Sequence, residues 1–189
     1  MVRVPHPPLS RRAALKALGL GGAGALACLT TPRAARAEAS AGRQLVLHNT
    51  HTLESLSVSC CAGGGYDAAA LADVNRVLRD HRNGAVHPID PALLELLHAV
   101  AGHCERDAEF EVISGYRSPE SNAAMHARSR GVAAHSLHME GRAIDVRLVG
   151  CDLARLRDAG LALAVGGVGY YRGPQFVHLD TGRVRTWVG

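Results

Sequence analysis

At 189 residues the chain is long enough for one domain with an ordinary core plus an appended segment. Its formal charge of +4 misleads about the folded part: six of the 21 basic residues (Arg3, Arg11, Arg12, Lys16, Arg33 and Arg36) precede all 17 acids. From residue 38 onward, fifteen arginines, no lysine and seventeen acids leave −2, which excludes the basic footprint of a nucleic-acid binder.

The beginning reads as an export leader. Ser10-Arg11-Arg12-Ala13-Ala14-Leu15-Lys16 carries a twin-arginine signature, an apolar run follows from Ala17 to Leu29, and Ala35-Arg36-Ala37 supplies small residues before a cut. The expected division is a signal peptide over 1–37 and one domain over 38–189, delivered to the periplasm by the twin-arginine machinery. The apolar run is short and rich in small residues, so no stable membrane span is expected after processing. Lipidation at Cys28, through Ala25-Leu26-Ala27-Cys28, is the competing reading. Cys60, Cys61, Cys104 and Cys151 survive cleavage; export permits disulfides, but their pairing stays open, and buried thiols or one bridge are expected.

Along the domain, Arg43–Asn49 and Thr52–Ser59 read as a strand pair around a turn at Asn49-Thr50-His51. Asp67 is placed to cap a helix reaching about Arg82, with Leu71, Val74 and Leu78 on one stripe. Asp90-Pro91 starts a second helix, to about Gly102. Glu109–Gly115 alternates like a strand with Phe110, Val112 and Ser114 on one face. Ser118-Pro119 opens a helix ending near Gly131, and Asp152–Ala164 forms another. Arg142–Leu148 reads as a strand, Gly166–Tyr171 and Phe176–Asp180 as a hairpin, and Val184–Trp187 as a last short strand. The expected class is α+β: one domain, with a small antiparallel sheet flanked by helices.

The chemistry gathers in Ala134–Val146, where His138 and Asp145 stand on either side of Gly141. A strand through Arg142–Leu148 sets Ala143, Asp145 and Arg147 on one face; Phe176–Asp180 sets Phe176, His178 and Asp180 on one face. If the two strands are neighbours, two histidines and a carboxylate converge. That is a three-ligand set for one zinc ion with the fourth position left for water. The ordinary alternative for each histidine is a hydrogen-bonded core residue.

Ser136-x-His138-x-x-Gly141-x-Ala143-x-Asp145 with a late Phe-Val-His178 resembles the zinc peptidase superfamily of D-Ala-D-Ala metallopeptidases, lysostaphin-type enzymes and the hedgehog domain. Ser114-Gly115-Tyr116-Arg117-Ser118-Pro119, Gly166–Tyr171, His48–Thr52 and Leu78–Arg82 narrow the resemblance to MepK-like (YcbK-type) murein endopeptidases. The resemblance implies a periplasmic hydrolase of peptidoglycan stem-peptide cross-links, with His138, Asp145 and His178 as zinc ligands. It also implies that Arg117 lies in the cleft near the substrate, where a guanidinium can grip a carboxylate or a polarised carbonyl. A bond at diaminopimelate is favoured, including the direct 3-3 bridge.

The chain departs from better-known relatives at the proton acceptor. Their acid three residues before the last ligand, or histidine two before it, is replaced here by Gln175 and Phe176. Asp180 and His135 remain as catalytic candidates, and Asp180 can alternatively orient a ligand or cap the Thr181-Gly182 turn. Ser136, Gln175 and Tyr171 are expected at the substrate, with Tyr170 and Tyr171 pointing opposite ways. A zinc-containing module that binds peptidoglycan without cutting it, and a D-alanyl carboxypeptidase, are the competing functions.

Overall fold

The computed structural model describes residues 43–59, 65–129 and 131–189. The expected leader, its cleavage and lipidation sites, Cys60 and Cys61 lie outside them. One seven-stranded sheet has the order β2-β1-β3-β4-β6-β5-β7: β1 Gln44–Asn49, β2 Ser55–Ser59, β3 Ala108–Ser114, β4 Ala143–Leu148, β5 Gly167–Tyr171, β6 Phe176–Asp180 and β7 Arg185–Val188. Among the described residues four α-helices complete it: α1 Ala68–Val77, α2 Pro91–His103, α3 Pro119–Arg128 and α4 Leu153–Leu163.

The helix starts are local chemistry. The side chains of Asp67, Asp90, Ser118 and Asp152 each accept a first-turn backbone N–H, and proline follows directly at two of them. α1 ends at Val77, well short of Arg82. There Asn49 Nδ2 donates to the Val77 carbonyl at 2.8 Å, and Tyr116 N takes the Leu78 carbonyl at 2.7 Å. With those acceptors committed to other parts of the chain, the helical ladder stops.

The class is α+β, but the sheet is neither small nor purely antiparallel. β1 pairs parallel with β3, and β5 parallel with β7. The first pairing follows from its connection, since a crossover carrying α1 and α2 can return the chain in the same direction. The second is made by a short link from β6 past the end of β5. Gly166 and Gly167 make room there, because a Cβ on Gly166 would fall on the Asp180 carbonyl.

Alternation then sorts the two faces. Phe110, Val112, Ile144, Val146, Val177 and Leu179 join Leu93, Leu97, Val100 and Leu156 in one buried core. Ser114 leaves that row. A bulge between Val112 and Ser114 sets Ser114 opposite Asp145, so it lines the cleft instead of sharing the core face. Cys104 and Cys151 are both free thiols between α2 and α4, and burial pushes the Cys104 thiol up to about 12.

Candidate metal centre

β4 and β6 are antiparallel neighbours with Asp145 directly opposite His178. That register brings the two residues onto one face, and β-sheet alternation leaves Ile144, Val146 and Leu179 for the core. His138 arrives from a 3₁₀ turn, Leu137–Glu140, closed by Gly141 at φ 65°. Only glycine fits this closure, since a Cβ would lie 2.2 Å from the Pro88 carbonyl. Arg142 N bonds the Leu137 carbonyl at 3.0 Å, so the turn feeds straight into β4.

The three side chains form a tight triangle. His178 Nδ1 is 2.8 Å from Asp145 Oδ1, His138 Nε2 is 3.3 Å from that oxygen, and the two ring nitrogens are 3.2 Å apart. The far nitrogen of each ring is committed elsewhere. His138 Nδ1 donates to the Gly115 carbonyl at 2.7 Å, and His178 Nε2 donates to Asp180 Oδ2 at 2.9 Å. The facing nitrogens therefore present lone pairs to one another beside a carboxylate, an arrangement that a cation resolves.

The edges also fit. Zinc bonds of roughly 2.0–2.1 Å in a tetrahedron imply donor separations of about 3.3 Å. His138, Asp145 and His178 are moreover the group of potential ligands that the described residues bring together around one point. The two imidazoles differ electrostatically. Burial lowers the His138 pKa against the opposing pull of Asp145. Burial would lower His178 as well, but hydrogen bonds to Asp145 and Asp180 outweigh it and push it up. Asp145, for which burial alone would raise the pKa, is held well below the usual carboxylate range by His138 and His178.

Behind the triangle, Asp180 is completely buried. Its Oδ1 accepts from Gly167 N at 2.9 Å, Gly182 N at 2.8 Å and Arg185 Nη1 at 3.1 Å, while Oδ2 accepts from Arg185 Nη2 at 2.7 Å. With the His178 bond added, its acceptor sites are filled, and it does not line the cleft. Trp187 tilts against the His178 ring at 5.1 Å and donates its N–H to the Tyr171 hydroxyl at 2.9 Å.

In front of the triangle lies a cleft of about 580 Å³, lined among others by Arg117, His135, Ser136 and Tyr171. Arg117 is nine-tenths buried, with Nη2 3.9 Å from Asp145 Oδ2 and Nη1 3.4 Å from Asn122 Oδ1. Its Nε, like the Ser114 hydroxyl, is buried with no protein partner. His135 is exposed on the cleft wall. Tyr171 stacks on Phe176 at 4.5 Å inside the cleft, whereas Tyr170 turns to the core side. Gln175, expected at the substrate, does not line the cleft; its amide donates to the Arg172 carbonyl across the β5–β6 turn.

Sequence reasoning missed Ser114, Asn122, Trp187 and Arg185. Asn122 holds Arg117 and also donates to the carbonyls of Ala133 and Ala134, clipping the wall of the cleft. No periodicity announces such roles; a polar residue inside a helix has many ordinary uses.

Comparison with known proteins decides the family. The model of peptidoglycan L,D-endopeptidase MepK matches residues 37–187. The chain belongs to the MepK peptidase family. It is 41% identical over 173 residues to the peptidoglycan L,D-endopeptidase MepK of Escherichia coli K12, covering 91% of this chain and 95% of that protein. It is 40% identical over 165 residues to the probable MepK of Haemophilus influenzae, covering 87% and 84%. Within the MepK family match fall His138, Asp145 and His178, together with Arg117 and Asp180.

Proposed function

We propose that this chain is a zinc-dependent murein endopeptidase that cuts stem-peptide cross-links, with one zinc held by His138, Asp145 and His178. The observation that carries the reading is the triangle itself: two imidazoles, each with its far nitrogen tied off, face a carboxylate at separations of 2.8 to 3.3 Å. Bound there, zinc supplies Lewis acidity, which acidifies water and polarises a carbonyl. Membership of a family whose relatives are named L,D-endopeptidases supports hydrolysis of a bond between an L and a D centre. The direct diaminopimelate 3-3 bridge is such a bond, and we assign it as the substrate.

The protein's own residues divide the remaining work. Gly115 and Asp180 fix the tautomers of His138 and His178, so that the correct lone pairs face inward. Asp180 is accordingly assigned as a positioning residue rather than the proton acceptor, because its lone pairs are filled and it is shut off from the cleft. His135 takes the acceptor role: it stands exposed on the cleft wall, and an imidazole nitrogen there can accept a proton from water. Arg117 aims its unpartnered Nε at the polarised carbonyl or a nearby carboxylate, worth more in this buried setting than at a surface. Ser136 and Tyr171 line the substrate path.

The site of action follows from the leader. We infer export by the twin-arginine machinery, cleavage after Ala37 and work in the periplasm; the family match beginning at residue 37 supports that boundary. Among the described residues no helix is long and apolar enough to cross a membrane.

Incubating purified protein from residue 38 onward with isolated sacculi and zinc tests the proposal. Expected are new soluble muropeptides, abolished by chelation and by His178→Ala. Loss of terminal D-alanine alone would mark a carboxypeptidase, and tight binding without cleavage across pH and metals would mark a binding module.

A further inference from the structure

The cleft holds a second cation that the proposed mechanism leaves unused. Its charged lining consists of Asp145, Arg82, Arg117 and Arg185, beside four histidines. Asp145 belongs to the metal triangle. Arg185 is committed to both oxygens of Asp180 and to the Arg183 carbonyl. Arg117 is buried against Asn122 and Asp145.

Arg82 is different. Among the described residues its guanidinium has one carboxylate neighbour, Asp80, at 3.5 Å, and that carboxylate already accepts two backbone N–H groups. Asp80 Oδ1 accepts the backbone N–H of Arg82 at 3.0 Å, and Oδ2 accepts that of Ser118 at 2.9 Å. Most of the five donors of Arg82 therefore face the cleft and solvent.

The same buried carboxylate sets where both cleft arginines stand. Asp80 is fully enclosed and ties the turn carrying Arg82 to the residue after Arg117. The turn is further closed by Gly84 N to the Asp80 carbonyl at 2.8 Å and Asp80 N to the Ala85 carbonyl at 2.9 Å. Beside Arg82, His81 lies flat on His51 at 3.8 Å, and burial pushes the His81 imidazole down to about 4. Two guanidiniums are thus held at a cleft whose one lining carboxylate among the described residues belongs to the metal centre. Such a pair repels itself until an anion enters between or beside it.

We propose that Arg82 is a specificity residue that binds a free carboxylate of the stem peptide next to the scissile bond, while Arg117 serves the reacting group. This rests on the endopeptidase reading and deepens it: the substrate class is a cross-linked peptide with an unmodified carboxylate at the cleaved residue. A peptide in which that carboxylate is amidated offers Arg82 no charge-assisted bond. Discrimination of about tenfold is the scale of one such lost interaction.

The test uses zinc-loaded protein from residue 38 onward and a matched pair of cross-linked muropeptides, free acid and amide. Wild type is expected to prefer the acid by about tenfold or more in kcat/KM, chiefly through KM. R82A should collapse that preference toward unity, R82K should restore part of it, and rising salt should erode it in wild type more than in R82A. Equal loss on acid and amide in R82A, or a wild type indifferent to amidation, overturns the proposal. Calorimetric binding of the same two peptides reads the preference without turnover. A wild type that binds the acid selectively but cuts neither peptide thus refutes the hydrolase and leaves the Arg82 assignment standing.

Discussion

The two faces of the central sheet obey opposite rules. Toward the helices, Phe110, Val112, Ile144, Val146 and Leu179 bury apolar surface in a continuous core. Toward the cleft, Asp145 and His178, one residue away from core positions on their strands, and Ser114, turned there by the bulge in β3, crowd polar groups together, and the Ser114 hydroxyl and Arg117 Nε stay buried without a protein partner. The core face stabilises the protein by removing carbon from water. The cleft face carries unresolved lone pairs and donors that are costly unless a ligand joins them. Stability and chemistry therefore separate along a single strand with a period of two.

Substitutions on the two faces should consequently fail in different ways. The greatest effect is expected on the cleft side: His178→Ala should remove stoichiometric zinc, read by elemental analysis, and reduce muropeptide release by at least about a thousandfold. A variant retaining zinc and turnover would break the ligand assignment. On the core side, Phe110→Ala should cost about 3–5 kcal/mol in denaturant unfolding while the surviving folded fraction keeps its zinc. Loss of metal affinity without loss of stability there would dissolve the contrast between faces.

Asp180 lies where the faces meet. Asp180→Asn should weaken zinc binding by roughly 10–100-fold, because it disturbs the tautomer of His178 without removing a ligand. A catalytic base would instead lose turnover at unchanged metal affinity, so competition with a chelator separates the two roles. His135→Gln should keep zinc and lower kcat by roughly 10²–10⁴-fold, read by muropeptide release alongside elemental analysis.

Acid should act through the buried node beneath the cleft. Burial alone would raise Asp80, but hydrogen bonds from Ser121, Arg82 and Ser118 hold it at about 2, against an ordinary 3.8. Because the folded value is the lower one, its stabilisation is complete above about pH 4 and lost as pH falls toward 2. Asp80→Asn should flatten that part of the stability curve, measured by thermal melts between pH 2 and 5. The smallest effect is expected at the α1 terminus, where Asn49→Ala should cost on the order of 1–2 kcal/mol by orphaning the Val77 carbonyl.

Much of this was legible in the chain itself. The starts at Asp67, Asp90-Pro91, Ser118-Pro119 and Asp152 follow from capping, which acts within a few residues. The parity of Asp145 and His178 follows from strand alternation, and the turn at Gly141 from its positive φ. Contacts across long separations were not legible. The parallel pairing of β1 with β3, the bulge that turns Ser114 into the cleft and the stop of α1 at Val77 depend on partners distant in sequence.

The roles of Asp180 and Arg82 show the limit most sharply. By itself the sequence determined that a carboxylate stands two residues after His178, and that an arginine stands two after Asp80. Only the tertiary structure decided that the first is sealed behind an imidazole with every lone pair taken, and that the second is left with donors to spare. The reason is physical: local propensities act through the backbone of neighbouring residues. Whether a charge is satisfied depends on which distant groups the folded chain brings within 3 to 4 Å of it.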